Sequence, residues 1–76
     1  MLIRTQDEMA IYDLEKMSSI YVTKDDEDTY TVYCLGYTGE LAYPIGKYKK
    51  EERAKAIIEE IYALCNSASR YDMPIV

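Results

Sequence analysis

The chain has 76 residues, enough for one small domain, and a chain of this size buries only about 60 to 65% of the surface that its unfolded form exposes. With 14 acidic and 9 basic side chains, a formal net charge of −5 and no histidine, it is a poor ligand for phosphate backbones or anionic lipid and lacks the usual proton carrier near neutral pH. An apolar fraction of 49% with only three glycines and two prolines argues for a folded core rather than disorder, and a core this small gains most from a second subunit.

Residues 1–4 read as a short strand ended by the polar run Thr5-Gln6-Asp7-Glu8. This opening has the pattern of neither a signal peptide nor a spanning helix, so a cytoplasmic protein is expected. The segment Glu8 to Met17 admits two readings. Ala10 to Leu14 fits a weak strand, while Met9, Tyr12, Asp13 and Lys16 fall at helical spacing with Ile11 and Leu14 off that row. Ser18 to Thr23 is a better strand, because Ile20, Tyr21, Val22 and Thr23 all suit a pleated surface.

Lys24-Asp25-Asp26-Glu27-Asp28 places four acids in five residues, the composition of a solvated hairpin loop that keeps strand ends off neighbouring sheets. Its order matches no calcium-binding loop, which needs alternating carboxylates, a central glycine and a distant glutamate. Thr29 to Tyr37 is the strongest strand signal. Alternation sets Tyr30, Val32, Cys34 and Gly36 on one face and Thr31, Tyr33, Leu35 and Tyr37 on the other. Thr38-Gly39 turns the chain, and Glu40 to Ile45 returns with Leu41, Tyr43 and Ile45 on one side. Pro44, having no N–H, belongs at an edge or a bulge.

Glu51 to Asn66 is predicted to be helical, with Ala54, Ile57, Ile58, Ile61, Leu64 and Cys65 at three- and four-residue steps. Glu51 and Glu52 complement the dipole of its first turn. Ser67 to Ser69 end the helix, and the tail Arg70 to Val76 is apolar enough to dock. Cys34 and Cys65 stand 31 residues apart, a spacing of no metal or redox motif, and read as buried, reduced hydrophobes. No metal, disulfide or cofactor is expected.

The fold expected from these elements is α+β in a single domain, residues 1–76. It has an antiparallel, meander-like sheet of four to five strands over 1–46, one helix at about 50–66 packed on one face, and a docked tail at 70–76. Ile3-Arg4-Thr5-Gln6-Asp7, Ser19-Ile20-Tyr21-Val22, Gly46-Lys47-Tyr48, Glu51-Glu52-Arg53-Ala54 and Tyr71-Asp72-Met73-Pro74 resemble the motifs of a family of small uncharacterised proteins found in Firmicutes genomes and their phages. The resemblance spans nearly the whole chain. It implies a compact strand-rich domain with one C-terminal helix, and nothing about a substrate. Lys49-Lys50 stand where such proteins usually carry a Ser or Thr cap, a loss of about 1 kcal/mol that favours fraying of the first helical turn.

Two surfaces carry the functional reading. All nine aromatic residues are tyrosine, and a helix covering Ile20, Val22, Val32 and Cys34 leaves Tyr21, Tyr33, Leu35 and Tyr37 on the opposite face. That face either closes a bent sheet on itself, meets a second subunit, most simply in a two-fold dimer, or receives a protein partner. Lys47, Lys49, Lys50, Arg53 and Lys55 are five of the nine cations. They surround the helix start, where free N–H groups favour anions, so they form either a nucleotide or phosphate site or a solvated turn balanced by Glu51 and Glu52. No phosphate-cradling glycine loop, nucleophile elbow or dinucleotide fingerprint occurs. The expectation is a non-enzymatic interaction module, in the manner of a phage or mobile-element accessory acting on a host protein, with a small-anion module as the alternative.

Overall fold

A computed structural model describes all residues from Met1 to Val76. In chain order they form β1 (Leu2–Arg4), β2 (Ile11–Asp13), a 3-10 turn (Leu14–Lys16), β3 (Met17–Asp26), β4 (Thr29–Gly36), β5 (Ala42–Tyr48), α1 (Glu51–Leu64) and β6 (Arg70–Asp72). The α+β class holds, but the single meander of four to five strands does not. The strands divide into two three-stranded sheets, ordered β2-β1-β6 and β3-β4-β5. Only the second is a meander. In the first, β6 lies parallel to β1, pairing Ile3 with Tyr71 and Arg4 with Asp72. A parallel partner needs a long crossover, and here nearly the whole chain forms it.

The ambiguous segment Glu8 to Met17 contains a short strand and one helical turn. Ile11–Asp13 pairs antiparallel with β1, and the Asp13 carboxylate then accepts a 3.1 Å bond from the Glu15 N–H, capping a 3-10 turn too short to extend. Ahead of it, Thr5 and Asp7 fold the loop on itself: the Thr5 hydroxyl donates to Asp7 at 2.6 Å, and Asp7 accepts from the Met9 N–H at 3.0 Å.

In the second sheet, β3 runs through most of the acidic cluster to Asp26, so the hairpin loop is only Glu27-Asp28. Asp26 accepts the Asp28 N–H at 3.0 Å and closes that turn. β4 ends at Gly36, and the next turn depends on Gly39, whose φ of +78° suits a residue without a Cβ. Leu41 lies outside β5 and is exposed, unlike its expected place beside Tyr43 and Ile45. The β4 to β5 register jumps between Val32↔Gly46 and Tyr33↔Pro44, leaving Ile45 as the extra residue of a bulge. Pro44 therefore meets both expectations: it lies on an edge strand and beside a bulge.

The core is one cluster drawn from every layer: Ile3 from β1, Val32 and Cys34 from β4, Ile45 and Tyr48 from β5, Ala54, Ile57 and Ile61 from α1, and Met73 beyond β6. Ile20, Val22 and Tyr30 pack against it from the same side of the larger sheet, the face predicted to lie under the helix. The helix ends at Leu64, two residues short of expectation, and Leu64 and Cys65 are exposed. Cys65 is therefore a free, exposed thiol rather than the buried hydrophobe its spacing suggested, while Cys34 is buried and its thiol is pushed up to about 11 by that burial.

The tail lies against the body of the fold through β6 and the buried Met73. Gly46 makes the docking possible: a Cβ there would lie 2.7 Å from the Tyr48 Oη and 3.1 Å from the Met73 Cε. The Tyr48 hydroxyl, over this gap, donates to the Pro74 carbonyl at 2.8 Å.

Candidate functional site

Register places the outward-facing residues of the larger sheet in cross-strand rows. Ser19, Leu35 and Ala42 form one, Tyr21, Tyr33 and Pro44 the next, and Thr23, Thr31 and Lys47 the third. The middle row is aromatic, with the rings of Tyr21 and Tyr33 stacked at 5.7 Å between centroids and 19° between planes. Tyr21, Tyr33 and Leu35 are each half-buried. The structure thus brings together three of the four residues predicted for this surface. Tyr37 does not join them, because β4 stops at Gly36 and the chain turns; its ring stands 79% exposed at the hairpin tip. The helix packs against the other side of this sheet through Ala54, Ile57 and Ile61, leaving the aromatic row without a second layer.

The third row holds a polar cluster that sequence reasoning missed. Thr31 is fully buried, and its hydroxyl donates to the Asp25 carboxylate. Thr23 donates to the same carboxylate at 2.8 Å. These two bonds, the Thr31 bond first, hold the Asp25 carboxyl below its ordinary value, and the Lys47 charge assists. Asp25 is the extra residue of a bulge in β3, since the register shifts between Lys24 and Asp26. A bulge turns a side chain against the strand alternation, and no signal in the sequence marks where one falls.

The four cations predicted for an anion site also come together. Lys47, Lys49, Lys50 and Arg53 line an open groove of about 520 Å³ with Tyr48, Ile75 and Val76. Lys50 occupies the N-cap position of α1 without a side-chain cap. Glu51, expected to compete for the helix start, pairs instead with Lys55 at 3.2 Å. Arg53 is committed within the fold: its Nε donates to the Val76 main-chain oxygen at 3.0 Å, and its Nη1 lies 3.8 Å from Glu60. Lys47, Lys49 and Lys50 take part in no ion pair. The tail residues Ile75 and Val76 give this groove an apolar wall that the cation spacing alone did not reveal.

No group of three or more Cys, Asp or Glu side chains converges as metal ligands would, and no helix is long and apolar enough to cross a membrane. No protein-family model, curated protein or solved structure matches this chain.

Proposed function

We propose that the protein is a non-enzymatic interaction module that acts in the cytoplasm and docks a protein partner on the outer face of its larger sheet. The observation that carries this reading is the Tyr21 and Tyr33 row, flanked by Leu35, lying on a sheet face with no covering layer. Half-buried tyrosines offer a large apolar area with a polar tip and little entropy to lose, the chemistry favoured at protein interfaces. The small core supports the same reading, since only 12 of the 76 residues are buried and a further layer adds what one helix cannot. The resemblance to small Firmicutes and phage proteins supplies a setting, that of a mobile-element accessory that binds a host protein.

The basic groove favours a second reading, because Lys47, Lys49 and Lys50 are free of ion pairs beside an uncapped helix start. In that reading they and Arg53 hold a small anion or nucleotide. The two separate cleanly. Tyr33→Ser is compared with Lys49→Glu with Lys50→Glu, each confirmed folded by thermal melting, in capture from host lysate and in calorimetry against a nucleotide panel. Docking on the sheet face predicts that the tyrosine variant alone loses its protein partner. Nucleotide binding abolished only by the lysine variant, or no capture by any form, overturns it.

A further inference from the structure

The two edges of the larger sheet are treated differently. At β5 the edge is filled by Gln6: its main-chain N–H donates to Ile45 at 2.9 Å, its side-chain oxygen accepts from the Lys47 N–H at 2.8 Å, and its side-chain nitrogen donates to the Lys47 carbonyl at 3.0 Å. One residue thus supplies what a neighbouring strand would. β3 is the other edge. None of the main-chain bonds outside the regular elements reaches residues 17–26, and no side chain bonds to their main chain, so beyond the Met17 N–H, which donates to Leu14, the outward N–H and C=O groups of β3 are open.

Sheet edges are usually guarded by charge, bulges or proline. Here the guards stand at the ends. Ser18 and Asp25 are the extra residues where the β3 register shifts, and between them Ser19 to Lys24 pair regularly with β4. Within this window Ser19-Ile20-Tyr21-Val22-Thr23 is uncharged and rich in β-branched and aromatic residues, a segment suited to strand addition.

We infer that a second copy of this chain adds to the β3 edge in antiparallel register about a two-fold axis at Tyr21. The window is self-complementary in that register and in no parallel one. Ser19 falls opposite Thr23 of the second copy, Ile20 opposite Val22 on the core side, and Tyr21 opposite itself, so that the stacked Tyr33 and Tyr21 continue into an aromatic row of twice the length. The acidic end of each β3 is directed toward the Met17 end of the other copy, whereas in-register parallel addition sets acid against acid on a chain of net charge −5. This pairing uses main-chain groups at an edge, and the partner reading uses ring faces, so either stands if the other fails.

The test uses the full chain with Cys65→Ser, which removes the exposed thiol. Sedimentation at tens of micromolar is expected to give a dimer. Under mild oxidation, Tyr21→Cys alone and Ser19→Cys combined with Thr23→Cys form disulfide-linked dimers, because directly opposed residues lie about 5 Å apart. Thr23→Cys alone does not, since its two copies are separated by about 14 Å. Tyr33→Ser with Tyr37→Ser remains dimeric. A monomer by sedimentation, cross-linking of Thr23→Cys as strong as that of Tyr21→Cys, or dissociation of the Tyr33→Ser, Tyr37→Ser form overturns the edge-paired dimer.

Discussion

The two sheets use tyrosine in opposite senses. In the smaller one, Tyr12, Ile3 and Tyr71 make a single row whose centre, Ile3, is fully buried and whose two rings pack on the core. Its outer face holds Leu2, Arg4, Ile11, Asp13, Arg70 and Asp72, and Arg4 pairs with Asp72 at 3.0 Å. In the larger one the corresponding row, Pro44, Tyr33 and Tyr21, looks outward. The smaller sheet's outer face thus mixes its charges with the exposed Leu2 and Ile11, while that of the larger sheet carries the stacked rings, and under the proposed function the partner takes the aromatic row.

The comparison breaks most readily at its inner side. Ile3→Ala removes the buried centre of the smaller sheet and is expected to cost about 3 kcal/mol, within the usual range for such truncations, read as a lowered denaturation midpoint at unchanged slope. A loss under about 1 kcal/mol would mean that the smaller sheet contributes little to the shared core.

Gly46→Ala tests the joint between the sheets. The added methyl displaces Tyr48 or Met73 and is expected to cost about 2 kcal/mol. Amide exchange at Arg70 to Asp72 should accelerate, while exchange in the Tyr30 to Cys34 ladder changes far less.

Each sheet also has its own carboxylate. Asp7 is held below its ordinary value of 3.8 first by the Thr5 hydroxyl and then by the Met9 N–H, and Asp25 by Thr31 and Thr23. A lowered native value contributes stability that is present above pH 3.8 and lost as pH falls through the native value. Phenols run the other way. Burial pushes Tyr48 and Tyr71 up from 10.0 to about 12, with Glu60 adding to the effect at Tyr71, so their contribution is complete below pH 10 and lost as pH rises through 12. Cys34, raised from 9.0 to about 11 by burial, adds to the alkaline loss from lower pH, so the thermal midpoint should be level between pH 3.8 and 9.0 and fall at both ends. Asp25→Asn should blunt the acid fall, and Tyr48→Phe the alkaline one; either variant keeping the full wild-type pH profile would remove that group from the account.

The smallest effect belongs to the outer face of the smaller sheet. Arg4→Met should change stability by no more than about 0.5 kcal/mol, because both partners of its ion pair are exposed. A larger loss by chemical denaturation would mean that this face, too, is in demand.

Much of this arrangement was legible in the chain. The helix, the strong Thr29 strand, the Gly39 turn and the docked tail follow from local spacing and turn chemistry, and alternation alone separated Tyr21, Tyr33 and Leu35 from Val32 and Cys34. The division into two sheets was not legible, because it depends on three-residue strands at opposite ends of the chain finding each other, and no local pattern records a partner. The bulges at Ser18, Asp25 and Ile45 were hidden for the same reason: each is a property of a pair of strands. The bulge at Asp25 explains the polar cluster over Thr31, whereas Leu41 is exposed because β5 begins only at Ala42. Tyr37 failed differently, since its alternation was sound but its strand ended one residue earlier.

The central claim is that the aromatic sheet face is the one a partner covers. Hydroxyl-radical footprinting of the full chain, alone and in the complex captured from host lysate, tests it directly. The account predicts that labelling of Tyr33 and Leu35 falls in the complex while that of Leu2 and Ile11 on the smaller sheet is unchanged. Protection of Leu2 and Ile11, or of Ile75 and Val76 in the basic groove, with Tyr33 labelled as in the free chain, would contradict it.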